Sequence, residues 1–310
     1  MRCLFIFLDG VGLGEDDPRK NPFARAQTPY LESLLEGRKL LASSAPFDGE
    51  RASLLALDAA LGVDGLPQSA TGQAVLLTGV NVPAALGYHY GPKPNPETAA
   101  FLNGQNLFAQ LTRAGKRAAL LNAYPPRYFH GIQSGKRLYS AIPLALTNAG
   151  LSLFTQDDYY AGDALSADFT GAGWREFLNV TDSPLFTPRQ AGAELARLAK
   201  RYDFAFFEYW ASDYAGHRQD MESAVHQLQN FDGVLQGLME NWRGEDGLVF
   251  LTSDHGNMED LSTRRHTPAP VPLLLLGEKN ARRVFSKDMK DLTGVAPAIL
   301  RAVMDDATGR

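Results

Sequence analysis

The sequence predicts a layered α/β fold with a mainly parallel sheet, and three observations carry that prediction. Short apolar runs alternate with helical patterns along the 310 residues, the order that strand–helix–strand units produce. The apolar runs are continuous rather than alternating, as strands covered on both faces require. Helix punctuation, an N-cap followed by proline or a closing glycine, falls between them.

The elements follow in chain order. Residues 3–8 (Cys-Leu-Phe-Ile-Phe-Leu) read as a strand, and 28–36 as a helix opened by Thr28-Pro29, an N-cap with proline at the first helical position. The stretch after Ser69 reads as a helix ending at Gly79, which places Ser69 at an N-cap. A helix over 106–114 is closed by Gly115 and followed by a strand over 117–122. Helix 188–201 leads to strand 203–209, and helix 220–241 to strand 247–252. Strand 271–276 and helix 291–304 complete the pattern. The least regular stretch is 82–185, rich in Gly, Pro and Tyr. Because 106–122 still reads as a helix and a core strand, an inserted lobe is confined to 124–185. The rest reads as one domain over 1–310.

Composition narrows the function classes. With 45% hydrophobic, 21% charged and 10% aromatic residues, the chain is neither disordered nor fibrous. Its length allows burial of about 75% of the unfolded surface, so neither disulfide nor metal is needed merely to fold. The net charge of −5 carries no basic block, which argues against nucleic acid and membrane surfaces as partners. Cys3 is the single cysteine, excluding an intrachain disulfide framework or thiolate cluster. The opening apolar run stops at Asp9, short of the ~7–15 residues of an export signal. No stretch approaches the ~20 apolar residues of a membrane span. The expected setting is the cytoplasm.

Chemistry concentrates where strands end. In open α/β sheets, sites form outside the carboxyl ends of the strands, and here those ends are acidic. The first strand runs into Asp9, the 203–209 strand is followed by Asp213, and the 247–252 strand by Ser253-Asp254-His255. Asp213 and His217 stand four apart, a spacing that lets both face one point across a helical turn. His266 follows His255 by eleven residues. Three carboxylates and three imidazoles without thiolate suit Zn²⁺ or Mn²⁺. They are too many for one tetrahedral site and suit two metals, each with an open position. Ser69, at a helix N-terminus where anions bind well, is the nucleophile candidate, with Thr71 as backup. Asp9-Gly10-Val11-Gly12-Leu13-Gly14 imitates a dinucleotide fingerprint, but the third glycine falls at Glu15 and Asp9 would repel a pyrophosphate.

Taken in order, these motifs resemble the alkaline phosphatase superfamily, nearest to the branch of cofactor-independent phosphoglycerate mutases and phosphopentomutases. They are a strand ending Phe-Leu-Asp-Gly, a Ser-x-x-Gly turn, Asp-x-x-x-His, Thr-Ser-Asp-His-Gly-Asn, and a His before Thr-x-x-Pro-Val-Pro. The resemblance implies a three-layer α/β/α fold. It implies one metal on Asp213, His217 and His266, and another on Asp9, Asp254, His255 and the nucleophile. The spacing from Ser69 to Thr78-Gly79 resembles the family's and selects Ser69 over Thr71. The mutases carry a large inserted cap, whereas here only 124–185 is free, a small cap from which Arg127, His130, Lys136 and Arg137 are placed to contact an anionic substrate.

The implied reaction is hydrolysis of a small phosphate ester through a Ser-linked phosphoenzyme, by in-line transfer between two metals. The alternatives are a phosphomutase with a reduced cap and a non-catalytic metal-binding domain of the same fold.

Overall fold

The computed structural model describes residues 1–304. Seven strands form one sheet: β1 (Cys3–Leu8), β2 (Phe47–Asp48), β3 (Ala52–Leu57), β4 (Ala118–Leu120), β5 (Phe204–Tyr209), β6 (Leu248–Thr252) and β7 (Val271–Leu276). Their order is β2-β3-β7-β6-β1-β5-β4. The contiguous strands β6, β1, β5 and β4 are parallel, as the sequence predicts. The other half departs from that expectation, because β7 runs antiparallel to β6, β3 to β7 and β2 to β3. The cause is local. The loop from Ser253 to Pro270 has no crossover helix, so the chain leaves and re-enters the sheet on one edge. It closes on itself where Thr267 N–H donates to Gly256 O at 2.9 Å.

Alternation along β1 divides the core into two. Leu4, Ile6 and Leu8 pack with the helices Pro188–Ala199 and Met221–Glu240. Cys3, Phe5 and Phe7 point to the other face, against Ser69–Thr78, Leu107–Arg113, Ala141–Asn148 and Val295–Met304. The result is a helix–sheet–helix sandwich, because side chains of a strand alternate between faces. Phe5 lies between Phe206 and Phe250 of the neighbouring strands, with centroids 4.5 and 4.7 Å away. Truncating so large a buried ring costs about 3–5 kcal/mol.

The stretch 124–185 contains four short helices, Pro126–Gln133, Ala141–Asn148, Gln156–Tyr160 and Ala172–Leu178. Ala141, Ile142, Ala145 and Leu146 of the second join the core on the Phe5 face. Tyr159 and Trp174, with Ala123 and Ala164, form a small cluster of their own.

The register of the central strands positions the site. Leu8 pairs with Tyr209, and Asp9 N–H donates to Tyr209 O at 3.0 Å. Asp9 and Trp210 therefore emerge side by side at the carboxyl edge.

Candidate active site

Six side chains converge on that edge from four segments. Asp9 follows β1, and Asp213 and His217 lie on the helix Ala211–Arg218 after β5. Asp254 and His255 follow β6, and His266 ends the return loop before β7. The close packing depends on glycine at two points. A Cβ on Gly10, which has φ +66°, would sit 2.6 Å from Asp213 Oδ1. One on Gly72 would sit 2.8 Å from Asp254 O, which explains the glycine of the Ser-x-x-Gly turn.

His217, His266 and Asp213 form one group. His217 Nδ1–H donates to Arg264 O at 2.7 Å, and His266 Nδ1–H to Pro67 O at 2.8 Å. Both carbonyls engage Nδ1, which leaves Nε2 of each ring as the atom available to a metal. Those two Nε2 atoms face each other at 3.3 Å. That distance is one a shared metal ion would set. Tetrahedral coordination with metal–nitrogen bonds of 2.0–2.1 Å puts two nitrogens about 3.3 Å apart. Asp213 completes the set, with Oδ2 3.2 Å from His217 Nε2 and Oδ1 3.7 Å from His266 Nε2.

The second group is built around His255. Its Nε2 lies 3.5 Å from Asp9 Oδ1 and 3.6 Å from Asp254 Oδ2. Ser69 Oγ–H donates to the same nitrogen at 3.0 Å. Ligand atoms of Asp9, Asp213 and His255 all fall within 4.8 Å of one another, so Asp213 borders both groups, whereas the resemblance assigns it to one. Asp9 Oδ1 is buried without a hydrogen-bond partner. Among the described residues, the ion-pair partners of Asp9, Asp213 and Asp254 are all histidines.

The electrostatics follow from packing acids together out of water. Burial, then Asp254, Asp213 and Glu208, raises the Asp9 carboxyl well above its ordinary range. Burial and Asp213 push Asp254 up to about 7. Burial and the neighbouring His266 push His255 down to about 3, keeping it neutral. A pocket of acids and imidazoles with no ammonium or guanidinium partner among the described residues suits divalent cations, which favour the ionised carboxylates.

Ser69 is the first residue of its helix rather than the N-cap the sequence predicts. Gln68 takes the cap position with an extended backbone (φ −135°, ψ 147°), and the Ser69 hydroxyl is released toward His255. Gly91 presses against the helix start, where a Cβ would lie 3.2 Å from Ser69 N. Thr71 is not brought to the cluster. Its Oγ1 accepts from Tyr90 N–H at 3.1 Å and donates to the Gln68 and Tyr90 carbonyls, anchoring the loop that carries Gly91.

Several participants escape the sequence reading. Gln73, one turn beyond Ser69, donates through Nε2 to Asp254 Oδ2 at 3.1 Å and Asp9 Oδ2 at 3.4 Å. Asn257 Nδ2 donates to Asp213 Oδ1 at 2.7 Å. Glu259 accepts from Gly12 and Asn257 N–H at 2.9 and 2.7 Å and from Thr267 Oγ1, tying the loops together. Glu208 lies buried near the end of β5, its carboxyl pushed up to about 7 by burial and Asp254. A lone acid inside an apolar strand was the available signal for it.

Of the four substrate-contact candidates, only Arg137 is linked to this region. It lies over the Tyr128 ring at 4.9 Å. Tyr128 packs on Tyr124 at 4.5 Å, and Tyr124 OH donates to Glu208 Oε2 at 3.5 Å. Lys93 joins from the Gly91 loop, its ammonium held below the ordinary value by burial and by Arg137. Arg127, His130 and Lys136 are exposed, and no described contact ties them to the cluster.

Fold and donor set together are similar to those of alkaline phosphatase-like metalloenzymes. Residues 187–306 match the family model described as Metalloenzyme superfamily, a span that holds five of the six converging residues and omits Asp9 and Ser69. Over 126 residues the chain is 28% identical to the 2,3-bisphosphoglycerate-independent phosphoglycerate mutase of Yersinia pestis (strain Pestoides F), covering 36% of this chain and 24% of the relative. The same enzyme of Salmonella paratyphi B is 29% identical over 126 residues, with the same coverage. The match thus spans about a quarter of the length of these relatives.

Among solved structures, the PH0037 protein of Pyrococcus horikoshii superposes with a TM-score of 0.56 at 14% identity, covering 100% of this chain and 98% of that one. Leishmania mexicana phosphoglycerate mutase gives 0.51 at 13%, covering 97% and 95%. Alkaline phosphatase from the Antarctic bacterium TAB5 gives 0.50 at 13%, covering 98% of each. These likenesses show the fold, and with the family match they bear out the resemblance read from the motifs. Among the described residues no helix is long and apolar enough to cross a membrane.

Proposed function

We propose that this chain is a dinuclear metal-dependent phosphoesterase that hydrolyses a small phosphate ester through a phosphoserine at Ser69. The observation that carries the reading is the pair of facing Nε2 atoms of His217 and His266, 3.3 Å apart, beside a second acid–imidazole group that receives the Ser69 hydroxyl. Asp213, His217 and His266 would hold one ion, and Asp9, Asp254 and His255, with Ser69 beside them, the other, either Zn²⁺ or Mn²⁺. Two such ions, when bound, neutralise the phosphoryl oxygens and stabilise the attacking and leaving oxygens.

The chain's own groups do the rest. Ser69 Oγ, its proton lost to solvent, attacks phosphorus. Its bond to phosphorus forms as the ester P–O bond breaks, and the leaving alkoxide takes a proton from water. A second water later opens the phosphoserine from the opposite face, releasing inorganic phosphate and restoring the Ser69 hydroxyl. The Ser69 and Ala70 amides at the start of the Ser69–Thr78 helix would meet the transferred group's charge, whereas the Thr71 amide is committed to Tyr90 O. Gln73 keeps the Asp9 and Asp254 carboxylates apart in fixed positions, and Asn257 does the same for Asp213. Acid-quench trapping followed by peptide mapping tests the reading. Phosphate on Ser69 is expected; label on Thr71 or on no residue overturns it.

The partial likeness to phosphoglycerate mutases favours a second reading, transfer between two hydroxyls of one substrate. A mutase must keep water from the phosphoenzyme with a closing cover, and 124–185 is small for that task. Incubation with 3-phosphoglycerate and with ribose 1-phosphate separates the two. Release of inorganic phosphate supports hydrolysis, and isomer formation without it establishes the mutase.

A further inference from the structure

We propose that Trp210 and Tyr214 form a shelf for the leaving group, so that the site selects phosphate esters of planar, aromatic alcohols such as aryl or nucleoside esters. This inference rests on the phosphoesterase reading above. Trp210 follows β5 directly and has helical backbone angles (φ −85°, ψ −11°), continuous with the helix Ala211–Arg218. Positions 210, 213, 214 and 217 are spaced i, i+3, i+4 and i+7, one face of a helix. That face carries Asp213 and His217, so both aromatic rings flank the candidate metal ligands.

Their exposure sets them apart. Trp210 and Tyr214 are 51% and 55% exposed, whereas the other two tryptophans, Trp174 and Trp242, are 5% and 4% exposed. The shelf is also fixed in place. Ser212 Oγ–H donates to Asp9 O at 2.6 Å, pinning the start of the helix to the end of β1. Arg218 Nη1 donates to Tyr214 OH at 3.1 Å, with its guanidinium 5.5 Å from the ring centre, which steadies the ring.

The direction of the reaction connects the shelf to the leaving group. In an in-line displacement the leaving oxygen departs opposite the nucleophile. Ser69 sits on the His255 side of the cluster, so the leaving oxygen departs toward Asp213, His217 and His266. The alcohol it carries then meets the helix that presents Trp210 and Tyr214. Two uncharged rings offer a planar ligand stacking area, and an aliphatic alcohol gains far less from them.

Phosphonates that cannot be hydrolysed test this without turnover. Phenylphosphonate and methylphosphonate are titrated into the metal-loaded chain by calorimetry, and tryptophan emission is followed in parallel, since Trp210 is the exposed indole. The wild type is expected to bind phenylphosphonate about tenfold more tightly and to show quenching by it. Trp210→Ala and Tyr214→Ala each reduce the preference toward one at wild-type metal content, and Trp210→Phe retains most of it. Equal affinities in the wild type, or a preference that survives both alanine substitutions, overturn the proposal. So does a wild-type dimer that Trp210→Ala converts to monomer with the preference intact, which assigns the face to a second copy of the chain. Binding with the predicted preference but no phosphate release from any ester counts against the phosphoesterase reading alone.

Discussion

Raising the pH of the metal-stripped protein from 6 to 8 is expected to weaken its fold by about 2 kcal/mol. Asp254 and Glu208 both titrate near 7 in the fold, well above ordinary carboxyls. A raised folded value means that the protonated acid favours the fold. That stability is present at low pH and is lost as pH rises through 7. Each group accounts for about 1.4 kcal/mol across this interval, and Asp9, also raised, acts in the same direction. His255, depressed to about 3, works the other way. Its contribution is lost as pH falls below the ordinary histidine value, and it offsets less than about 1 kcal/mol between pH 6 and 8. For a chain of this size the net change lowers the melting temperature by roughly 3 °C. Circular-dichroism melts after chelation and dialysis measure it at pH 6, 7 and 8. Asp254→Asn should remove well over half of the slope, because it takes away its own contribution and also lowers the Glu208 and Asp9 carboxyls that Asp254 raises. Loading with Zn²⁺ should reverse its sign, because the ligands bind metal only when deprotonated. A stripped protein whose melting temperature is flat or rises from pH 6 to 8 refutes the electrostatic account, as does a full slope in Asp254→Asn.

Three further outcomes are expected. Elemental analysis of protein purified without chelator should approach two divalent ions per chain, and Asp254→Ala should lower that count; a single ion indifferent to the change removes the dinuclear assignment. Ser69→Ala should keep the wild-type melting temperature and lose about a thousandfold or more of turnover. Thr71→Ala should instead cost about 1–2 kcal/mol of stability, through its lost hydrogen bonds to the Gly91 loop, with a much smaller kinetic effect. Arg282 is fully buried and donates to Ser53 Oγ and to the Gly49, Glu50 and Gly277 carbonyls. Arg282→Met should lower stability by about 3–5 kcal/mol in denaturant melts, without changing metal content.

The legible parts of this fold are those where one physical signal dominates. Five strands were readable because continuous apolar runs end in charge or turn residues. β3, Ala-Ser-Leu-Leu-Ala-Leu, was not readable, since alanine and leucine favour helix and the strand is held by pairing with β7. The direction of β7 is not encoded in Val-Pro-Leu-Leu-Leu-Leu but in the missing crossover before it. Within the site, Asp9, Asp213, Asp254 and the three histidines stood out as chargeable groups at strand ends. Gln73 and Asn257 did not, because a neutral amide that orients a carboxylate has no signature until the carboxylate is seen beside it. The one-residue shift at Ser69 lies below what capping patterns resolve.

β1 occupies the middle of the sheet, yet both of its neighbours, β5 and β6, come from far along the chain. Cys3 pairs with Phe204 on one side and Leu248 on the other. At synthesis rates of about 5–20 residues per second, the hexapeptide Cys-Leu-Phe-Ile-Phe-Leu waits roughly 10–50 s on the ribosome for its partners. Such a segment is short, apolar, uncharged and free of proline, the profile of an aggregation-prone stretch. Its protection during translation falls to chaperones or transient contacts rather than to its own fold. Asp9 waits with it, since Asp254 and His266 are synthesised later still. Chains interrupted before β6 carry at most part of the donor set, since Asp254, His255 and His266 all follow β6.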